Sequence, residues 1–169
     1  MLQRAIRGGN LGAMQTLGQA YLKGNGVARD TDKGIGLLTR SAERGNAYAA
    51  QVLGEAYLSG EGVAKDPAKA KQWLTRAAEA GSLSSQANLG RSLLYGRDGI
   101  TQNVERGLEL LKDAAEQGHA GAQATLGRAY LRGDVLEQDN AKGAEYLFRA
   151  ARQGHPTARL ALAKAYLWT

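Results

Sequence analysis

Four cations in the second half of the chain have the clearest potential for chemistry. Arg91, Arg128 and Lys164 recur at intervals of about 36 residues, and Arg132 follows Arg128 by one helical turn. A guanidinium group presents a planar fork of N–H donors that can bind a carboxylate through two hydrogen bonds. These four side chains, called the basic ladder below, predict binding of carboxylates on an extended peptide or protein loop. The alternative interpretation is ordinary solvated charge on helices, which is common and usually silent.

The two histidines suggest a second kind of chemistry. His119 and His155 lie one repeat apart, so a metal-binding pair is one interpretation. In the other repeats the same position holds Asn10, Asn46 and Ser82, whose side chains can accept a hydrogen bond at the start of a helix. We therefore favour a helix-start role for both histidines and predict neither a metal site nor a cofactor.

Catalysis finds little support in the sequence. The glycine pairs at residues 24–26 and 60–62 resemble phosphate-binding loops, but no Lys-Ser/Thr pair or preceding strand accompanies them. No constellation of Asp, Glu, Ser or Lys interrupts the repeat to provide acid–base or nucleophilic chemistry. The absence of cysteine excludes disulfides, thiol nucleophiles and thiolate metal sites. The sequence predicts a protein that is not an enzyme.

Composition and charge narrow the range of partners. The 169 residues include 22 Lys and Arg against 16 Asp and Glu, a formal charge of +6 that suits an acidic partner or an ordinary soluble surface. The positive charge is dispersed without a stripe that could track phosphates, which argues against nucleic acid. No apolar run approaches the roughly 20 residues that a membrane span needs, and residues 1–10 lack the apolar core of a signal peptide.

An internal repeat organises the whole chain. Leu-Gly pairs recur with spacings of 36, 36 and 37 residues, and Leu162-Ala163 follows after a further 36. Residues 96–99 hold the one inserted residue, as expected for a surface loop. The apolar positions in each unit recur with helical spacing, which predicts two helices per repeat. The pairs are Leu17-Gly18, Leu53-Gly54, Leu89-Gly90 and Leu126-Gly127.

Glycine and aspartate mark where these helices begin and end. Each first helix should end at a glycine suited to a left-handed cap, and each second helix should begin after a side chain that accepts hydrogen bonds from free N–H groups. The predicted end positions of the first helices are Gly24, Gly60, Gly96 and Gly133. The predicted caps of the second helices are Asp30, Asp66, Asn103 and Asp139.

The predicted fold is therefore an all-α, tetratricopeptide-like solenoid of helix-turn-helix repeats, forming one array over residues 1–169. Because a single hairpin has too small an apolar face to fold alone, neighbouring repeats must stack. The incomplete units at both ends suggest an excerpt from a longer protein, with exposed array ends that could self-associate. The predicted segments are a partial second helix at 1–8, repeats at 10–45, 46–81, 82–118 and 119–154, and a further first helix at 155–169.

The segment from Leu53 through the loop Gly60-Glu61-Gly62-Val63, the Asp66-Pro67 pair and Trp73-Leu74 to Gly81 closely resembles the Sel-one-like repeat, a relative of the tetratricopeptide repeat. The resemblance covers the whole chain, with departures such as Leu93 for tyrosine and Asn103 for aspartate. It implies a right-handed superhelix whose first helices line a concave groove, and a role in assembling protein complexes. Bacterial members are often envelope or secreted proteins, and some resemble periplasmic scaffolds of exopolysaccharide secretion. A periplasmic or secreted location is thus favoured over the cytoplasm.

The resemblance to tetratricopeptide grooves also implies which residues face a partner. Positions two residues before and after the leucine of each Leu-Gly pair, and the end of that helix, should line the groove. The expected partner is a protein or peptide, with acidic groups for the basic ladder; direct binding of an anionic polysaccharide is the alternative. The candidate residues are Gln19, Lys23, Tyr48, Gln51, Glu55, Arg91, Tyr95, Arg128, Arg132, Lys164 and Trp168.

Overall fold

The computed structural model describes residue 6 and residues 8–167, with side chains described as far as Lys164. Helices are the only regular elements in these residues, which confirms the all-α prediction, and none has the length and apolar character needed to cross a membrane. The expected partial helix at 1–8 lies almost wholly outside the described residues, as does Trp168. The helices are α1 (Leu11–Lys23), α2 (Thr31–Glu43), α3 (Ala47–Ser59), α4 (Pro67–Glu79), α5 (Leu83–Tyr95), α6 (Val104–Glu116), α7 (Ala120–Arg132), α8 (Asn140–Arg152) and α9 (Pro156–Leu167).

The chain divides into two compact units, residues 1–85 and 86–169. In the first unit α1 packs on α2 and α3 packs on α4, while α2 and α3 join the two hairpins. In the second unit α7 packs on α8, with α6 against α7 and α8 against α9. Within each unit these helices therefore pack as the repeat predicts, and the architecture is an all-α repeat solenoid.

Apolar side chains from different hairpins share the core of each unit. In the first unit, Leu22 and Leu38 pack in one cluster with Leu53 and Trp73. In the second, Leu94 and Leu111 pack with residues of α7 that include Leu126. The leucines of three Leu-Gly pairs are core residues, since Leu53, Leu89 and Leu126 are 0%, 3% and 0% exposed.

The glycine of each Leu-Gly pair lies at the contact between the two helices of a hairpin. A Cβ atom on Gly54 would stand 2.6 Å from Cγ of Leu74, and one on Gly127 would stand 2.7 Å from Cγ of Leu147. Real Cβ atoms do not approach so closely, so a larger residue would push the helices apart. These glycines are therefore required by helix packing, and Ala163 takes the equivalent position in α9 where the side chain is exposed.

The predicted caps are confirmed at both kinds of boundary. The backbone N–H groups of Lys33 and Lys69 donate to Asp30 and Asp66 at 3.0 Å. Asn103 and Asp139 accept in the same way from the third residue after them. At the ends of α1, α3 and α7, Gly24, Gly60 and Gly133 have φ values of 74°, 80° and 64°, in the left-handed region that glycine tolerates best.

A trio of tyrosine, aspartate and lysine braces three of the four hairpins. In the first, Lys33 Nζ lies 2.7 Å from Asp30 Oδ2 and 5.8 Å from the centre of the Tyr21 ring. The trio recurs at Tyr57, Asp66, Lys69 and at Tyr130, Asp139, Lys142. The third hairpin replaces the whole trio with Leu93, Asn103 and Arg106. Arg106 instead pairs with Glu109 at 2.6 Å. The third hairpin therefore differs from the other three at all positions of the trio and not at one position alone.

The inserted residue of the third hairpin builds a distinct turn between α5 and α6. Asp98 and Gly99 both have positive φ, 60° and 73°, and the N–H of Ile100 donates to the carbonyl of Arg97 at 2.9 Å. An Asp-Gly pair with two positive φ values is the signature of a type I′ turn. The Ser92 hydroxyl bonds to Asp98 Oδ2 at 2.8 Å, and Ile100 is buried, so the turn is fixed on both sides.

Candidate functional site

The second unit gathers cations on one set of helices. Its first helices, α5, α7 and α9, carry arginine and lysine but no aspartate or glutamate within their bounds. By contrast, α6 alone holds four acidic residues. Four ion pairs, Asp30–Lys33, Asp66–Lys69, Arg106–Glu109 and Asp139–Lys142, lie on second helices and their caps. None of these four pairs includes a member of the basic ladder. The ladder is therefore available to an external anion.

A small cavity of about 170 Å³ lies among α5, α7 and the start of α9. Arg91 and Tyr95 reach it from α5, and Arg128 from α7. Arg97, from the type I′ turn, completes a set of three guanidinium groups around it. We call this the polar cavity; the rest of its lining is Gly121, Ala124, Thr125, His155 and Thr157.

The surroundings of the Tyr95 hydroxyl determine its hydrogen bonding and its pKa. The Oη atom is buried and has no hydrogen-bond partner among the described residues, while the Arg97 guanidinium lies 4.9 Å from the centre of the ring. Burial raises the pKa of Tyr95 above its ordinary value, as does the negative charge of Asp134, while Arg128 and Arg132 oppose the shift. The hydroxyl therefore keeps its proton at neutral pH and is available as a donor.

The two histidines differ in how their rings are used. His119 Nδ1 accepts from the N–H of Ala122 at 3.1 Å, which confirms its role at the start of α7. His155 Nδ1 is buried without a partner in the described part of the chain and borders the polar cavity. Burial of the ring, and the charge of His155, lower the pKa of His119. Within the described residues, no group of three histidine or carboxylate side chains could hold a metal ion.

A second cavity of about 450 Å³ lies between α7 and α9. Its floor is aliphatic, formed by Leu131, Leu160 and Ala161, and Leu160 is 56% exposed. The rim carries the remaining cations of the ladder, Arg132 and Lys164. We call this the apolar cavity. It adjoins the polar cavity, because Arg128 and Thr157 line both.

The candidate residues of the first unit have a different chemistry. The Gln51 amide donates to Glu55 at 3.0 Å, and the Ser82 hydroxyl bonds to Gln51 at 2.8 Å. Gln19 likewise accepts from Gln15, while Lys23 and Tyr48 are exposed. Gln19, Gln51 and Glu55 thus form neutral or acidic hydrogen-bonded pairs, and Lys23 is the one cation among the candidates of this unit. The clustered cations among the candidate residues belong to the second unit. The candidate Trp168 lies outside the described residues.

Sequence reasoning placed Arg91, Tyr95, Arg128, Arg132 and Lys164 in the candidate groove, and the structure brings all five to the two cavities. It did not include Arg97, His155, Thr125, Thr157 or the aliphatic floor. The inserted residue was the available signal for Arg97, because an Asp-Gly pair after Arg97 indicates a tight turn that fixes its direction. His155 carried no such signal, since its neighbours come from helices about one repeat away.

Comparison with known proteins gives a consistent result. The Sel1 repeat family matches residues 12–46, 47–82, 83–119 and 120–155. A protective antigen of uropathogenic Escherichia coli strains, described as having an SLR fold, is 33% identical with a TM-score of 0.90. A Sel1 repeat protein from Oxalobacter formigenes is 32% identical with a TM-score of 0.83, and an immunity protein from Pseudomonas aeruginosa is 25% identical with a TM-score of 0.60.

The matched structures are longer than this chain. The three alignments cover 99%, 93% and 93% of this chain, but only 36%, 64% and 58% of the respective relatives. The chain thus spans less than two thirds of each of them. Comparison with curated protein sequences finds no match.

Proposed function

This chain belongs to the Sel1 repeat family, and from that premise we propose that it binds an acidic segment of a protein partner along the first-helix face of its second unit. Proteins with Sel1 repeats generally serve as protein–protein interaction scaffolds and are typically not enzymes. The proposed role is therefore non-enzymatic: the repeats present a surface that holds a partner within a larger complex. Concave solenoid surfaces suit extended partners of this kind.

The unopposed basic ladder carries this proposal. Its four cations line two adjoining cavities, and no carboxylate of the described residues pairs with them. Cations held on separate helices without counter-ions repel each other, so an incoming carboxylate gains attraction from several of them at once. An acidic peptide or loop satisfies this arrangement directly.

An anionic polysaccharide is the competing ligand, favoured by the combination of cations with Tyr95. The aliphatic floor of the apolar cavity argues for a peptide instead. Each sugar ring would bring hydroxyl groups that must lose water against Leu131 and Leu160, whereas an aliphatic side chain gains by leaving water there.

The test compares two variants of equal charge. Changing Arg91, Arg128 and Arg132 together to glutamate alters the formal charge of +6 by −6, giving zero. Changing Lys71, Lys112 and Arg152 to glutamate gives the same net charge. These three residues are exposed on second helices, away from the cavities. Acidic proteins retained from a bacterial extract at two salt concentrations are quantified for the wild type and both variants.

We expect the ladder variant to lose proteins that the second-helix variant and the wild type retain. Equal loss in both variants would mean that net charge alone drives retention, and no loss in the ladder variant at low salt would show that the ladder is not the binding surface. Uronate oligomers that compete for the retained proteins at low concentration would favour the polysaccharide.

The cellular setting is a separate proposal, that the partner complex belongs to a bacterial envelope or exopolysaccharide-secretion system. It rests on the bacterial origin of the similar structures and on the family resemblance. Fractionation of cells that express the protein tests it. Recovery in the cytosolic fraction alone would contradict an envelope location.

A further inference from the structure

Two unpartnered polar atoms belong to residues that line the same small cavity. Tyr95 Oη and His155 Nδ1 are both buried, both lack a hydrogen-bond partner among the described residues, and both belong to residues that line the polar cavity. A buried polar atom without a partner destabilises the folded state, so native structures rarely keep one without a reason. A ligand that supplies the missing partners accounts for both.

The donors around the cavity define what that ligand must offer. Arg91, Arg97 and Arg128 present N–H groups, and the protonated Tyr95 hydroxyl adds an O–H. All four require an acceptor, and three of them favour a negative one. A carboxylate, the anion that an acidic peptide presents, satisfies this set of donors. A phosphate would also satisfy it, and the experiment below distinguishes the two.

Arg97 has a fixed place in this arrangement. The type I′ turn at Asp98-Gly99 sets the direction of the chain that follows Arg97, and the Ser92 hydroxyl anchors Asp98. The guanidinium then packs over the Tyr95 ring at 4.9 Å, which restricts its motion before any ligand arrives. The turn that contains the inserted residue thus holds a preorganised donor beside the Tyr95 ring.

His155 and the apolar cavity identify the rest of the ligand. The unpartnered Nδ1 atom of His155 can accept a hydrogen bond, and a peptide N–H beside the carboxylate-bearing residue supplies it. The apolar cavity adjoins through Arg128 and Thr157, and its aliphatic floor suits a branched aliphatic side chain. In an extended peptide, side chains two residues apart point to the same face.

We propose that the polar cavity binds an acidic side chain of an extended peptide and that the apolar cavity binds an aliphatic side chain two residues away. This inference deepens the proposed function and rests on it, because it names the kind of segment that the ladder holds. The recognised element is a pair, an acidic and an aliphatic residue separated by one residue.

The experiment uses the whole chain and labelled octapeptides in an alanine-serine background. One set places glutamate and leucine adjacent, two residues apart or three residues apart, in both orders. A second set replaces glutamate with glutamine or leucine with serine. Fluorescence anisotropy gives Kd at two salt concentrations, and circular dichroism verifies that each protein variant is folded.

We expect the peptides with a spacing of two residues to bind most tightly in one of the two orders. The glutamine peptide should bind about 10-fold more weakly, as should the glutamate peptide to Arg97→Gln, since a hydrogen bond to a charged group is lost. Tyr95→Phe should weaken the glutamate peptide several-fold and leave the glutamine peptide nearly unchanged. Lys112→Gln, which removes one exposed second-helix charge, serves as the matched control and should have little effect.

The outcomes separate this inference from the proposed function. Binding that needs Arg128 and Arg132 but is indifferent to Arg97→Gln and Tyr95→Phe would overturn the polar cavity as the carboxylate site while leaving the ladder as a binding surface. Tighter binding of a phosphoserine peptide or a uronate oligomer than of every glutamate peptide would overturn the assignment of the ligand. Failure of all peptides to bind would also overturn it, and the charge-matched ladder variants would still decide the proposed function.

Discussion

The Tyr95 hydroxyl bears on both stability and the proposed binding site. The ring packs against the core of the second unit with the Arg97 guanidinium 4.9 Å from its centre, but the hydroxyl oxygen is buried without a partner in the described residues. A hydroxyl in that state is desolvated without compensation, so the folded protein gains nothing from it. In the proposed site, a ligand would supply the missing partner.

The first prediction follows at the residue scale. Tyr95→Phe removes the hydroxyl and keeps the ring, so the free energy of unfolding should stay the same or rise by up to about 1 kcal/mol, within the range for an unsatisfied buried group. Urea denaturation of both proteins measures it. A loss of more than about 1 kcal/mol would mean that the hydroxyl has a stabilising partner, and His155 Nδ1 would then be the one unpartnered atom among the described residues of the polar cavity.

His119 makes the stability of α7 depend on pH. Its Nδ1 atom must be unprotonated to accept from Ala122, and burial of the ring together with the charge of His155 lowers the pKa from 6.5. The unfolded chain therefore binds a proton more readily than the folded one. Stability should be full above the unfolded pKa and should fall as the pH drops below about 6.5.

His119→Asn tests this second prediction, because Asn46 caps α3 at the equivalent position without a titrating ring. The variant should keep its cap and lose the part of the pH dependence between about pH 7.5 and 5 that belongs to His119. Thermal melting across that range compares it with the wild type. Parallel curves for the two proteins would show that His119 is not the titrating group.

At the scale of the helix, the third hairpin shows that the three residues of the trio are replaced together. The bracing trio is absent there as a whole, and its place is taken by Leu93, Asn103 and an ion pair between Arg106 and Glu109. The cap survives, because the Asn103 side chain accepts from the N–H of Arg106 as aspartate does elsewhere. The helix boundary thus depends on a hydrogen-bond acceptor, while the exposed ion pair beside it is exchangeable.

Glycine substitutions give the third prediction, at the level of helix pairs. Gly127→Ala would place a Cβ 2.7 Å from Leu147 Cγ and 2.9 Å from the carbonyl oxygen of Gly143, so α7 and α8 must separate. We expect a loss of about 1–3 kcal/mol in the free energy of unfolding, as for overpacked cores. Gly36→Ala in α2 is the control: nothing lies within 4 Å, and helix propensity should raise stability by up to about 1 kcal/mol. Equal effects of the two changes would contradict this account.

The fourth prediction concerns the repeat register. Leu89 is 3% exposed in α5, and Leu89→Ala removes side-chain volume that the surrounding helices cannot fully replace. The expected cost is about 2–5 kcal/mol, measured by denaturant unfolding. A cost below about 0.5 kcal/mol, the level typical of surface changes, would mean that the leucine is not a core residue.

The boundary signals and core positions could be predicted from sequence because they are local or periodic. An acceptor at the cap, a glycine with positive φ and a leucine every 36 residues each depend on a few neighbours or on the repeat itself. Arg97 and His155 could not be assigned, because their surroundings come from a turn conformation and from helices far apart in the chain. The sequence likewise does not show that the Tyr95 hydroxyl is buried without a hydrogen-bond partner, because that is a property of the folded structure.

At the scale of the whole molecule, arrangement matters more than net charge. Residues 1–85 hold 11 cations and 7 acids, 11 − 7 = +4, whereas residues 86–169 hold 11 and 9, 11 − 9 = +2. The less basic unit contains the ladder, because its acids lie on second helices and loops and its first helices carry cations alone. Because cations and acids lie on different helices, the second unit has a basic surface that the overall charge of +6 does not reveal.

The shared cores lead to the last prediction, that one hairpin does not fold by itself. The cluster around Leu111 and Leu126 draws residues from α5, α6 and α7, so a peptide of residues 120–155 leaves α6 and most of this core behind. Chains below about 40 residues rarely bury enough apolar surface to fold alone. Circular dichroism should show low helicity and no cooperative melting for this peptide, whereas the whole chain melts cooperatively. A sharp transition with near-native helicity in the isolated peptide would show instead that each repeat is a self-sufficient unit and that stacking adds little.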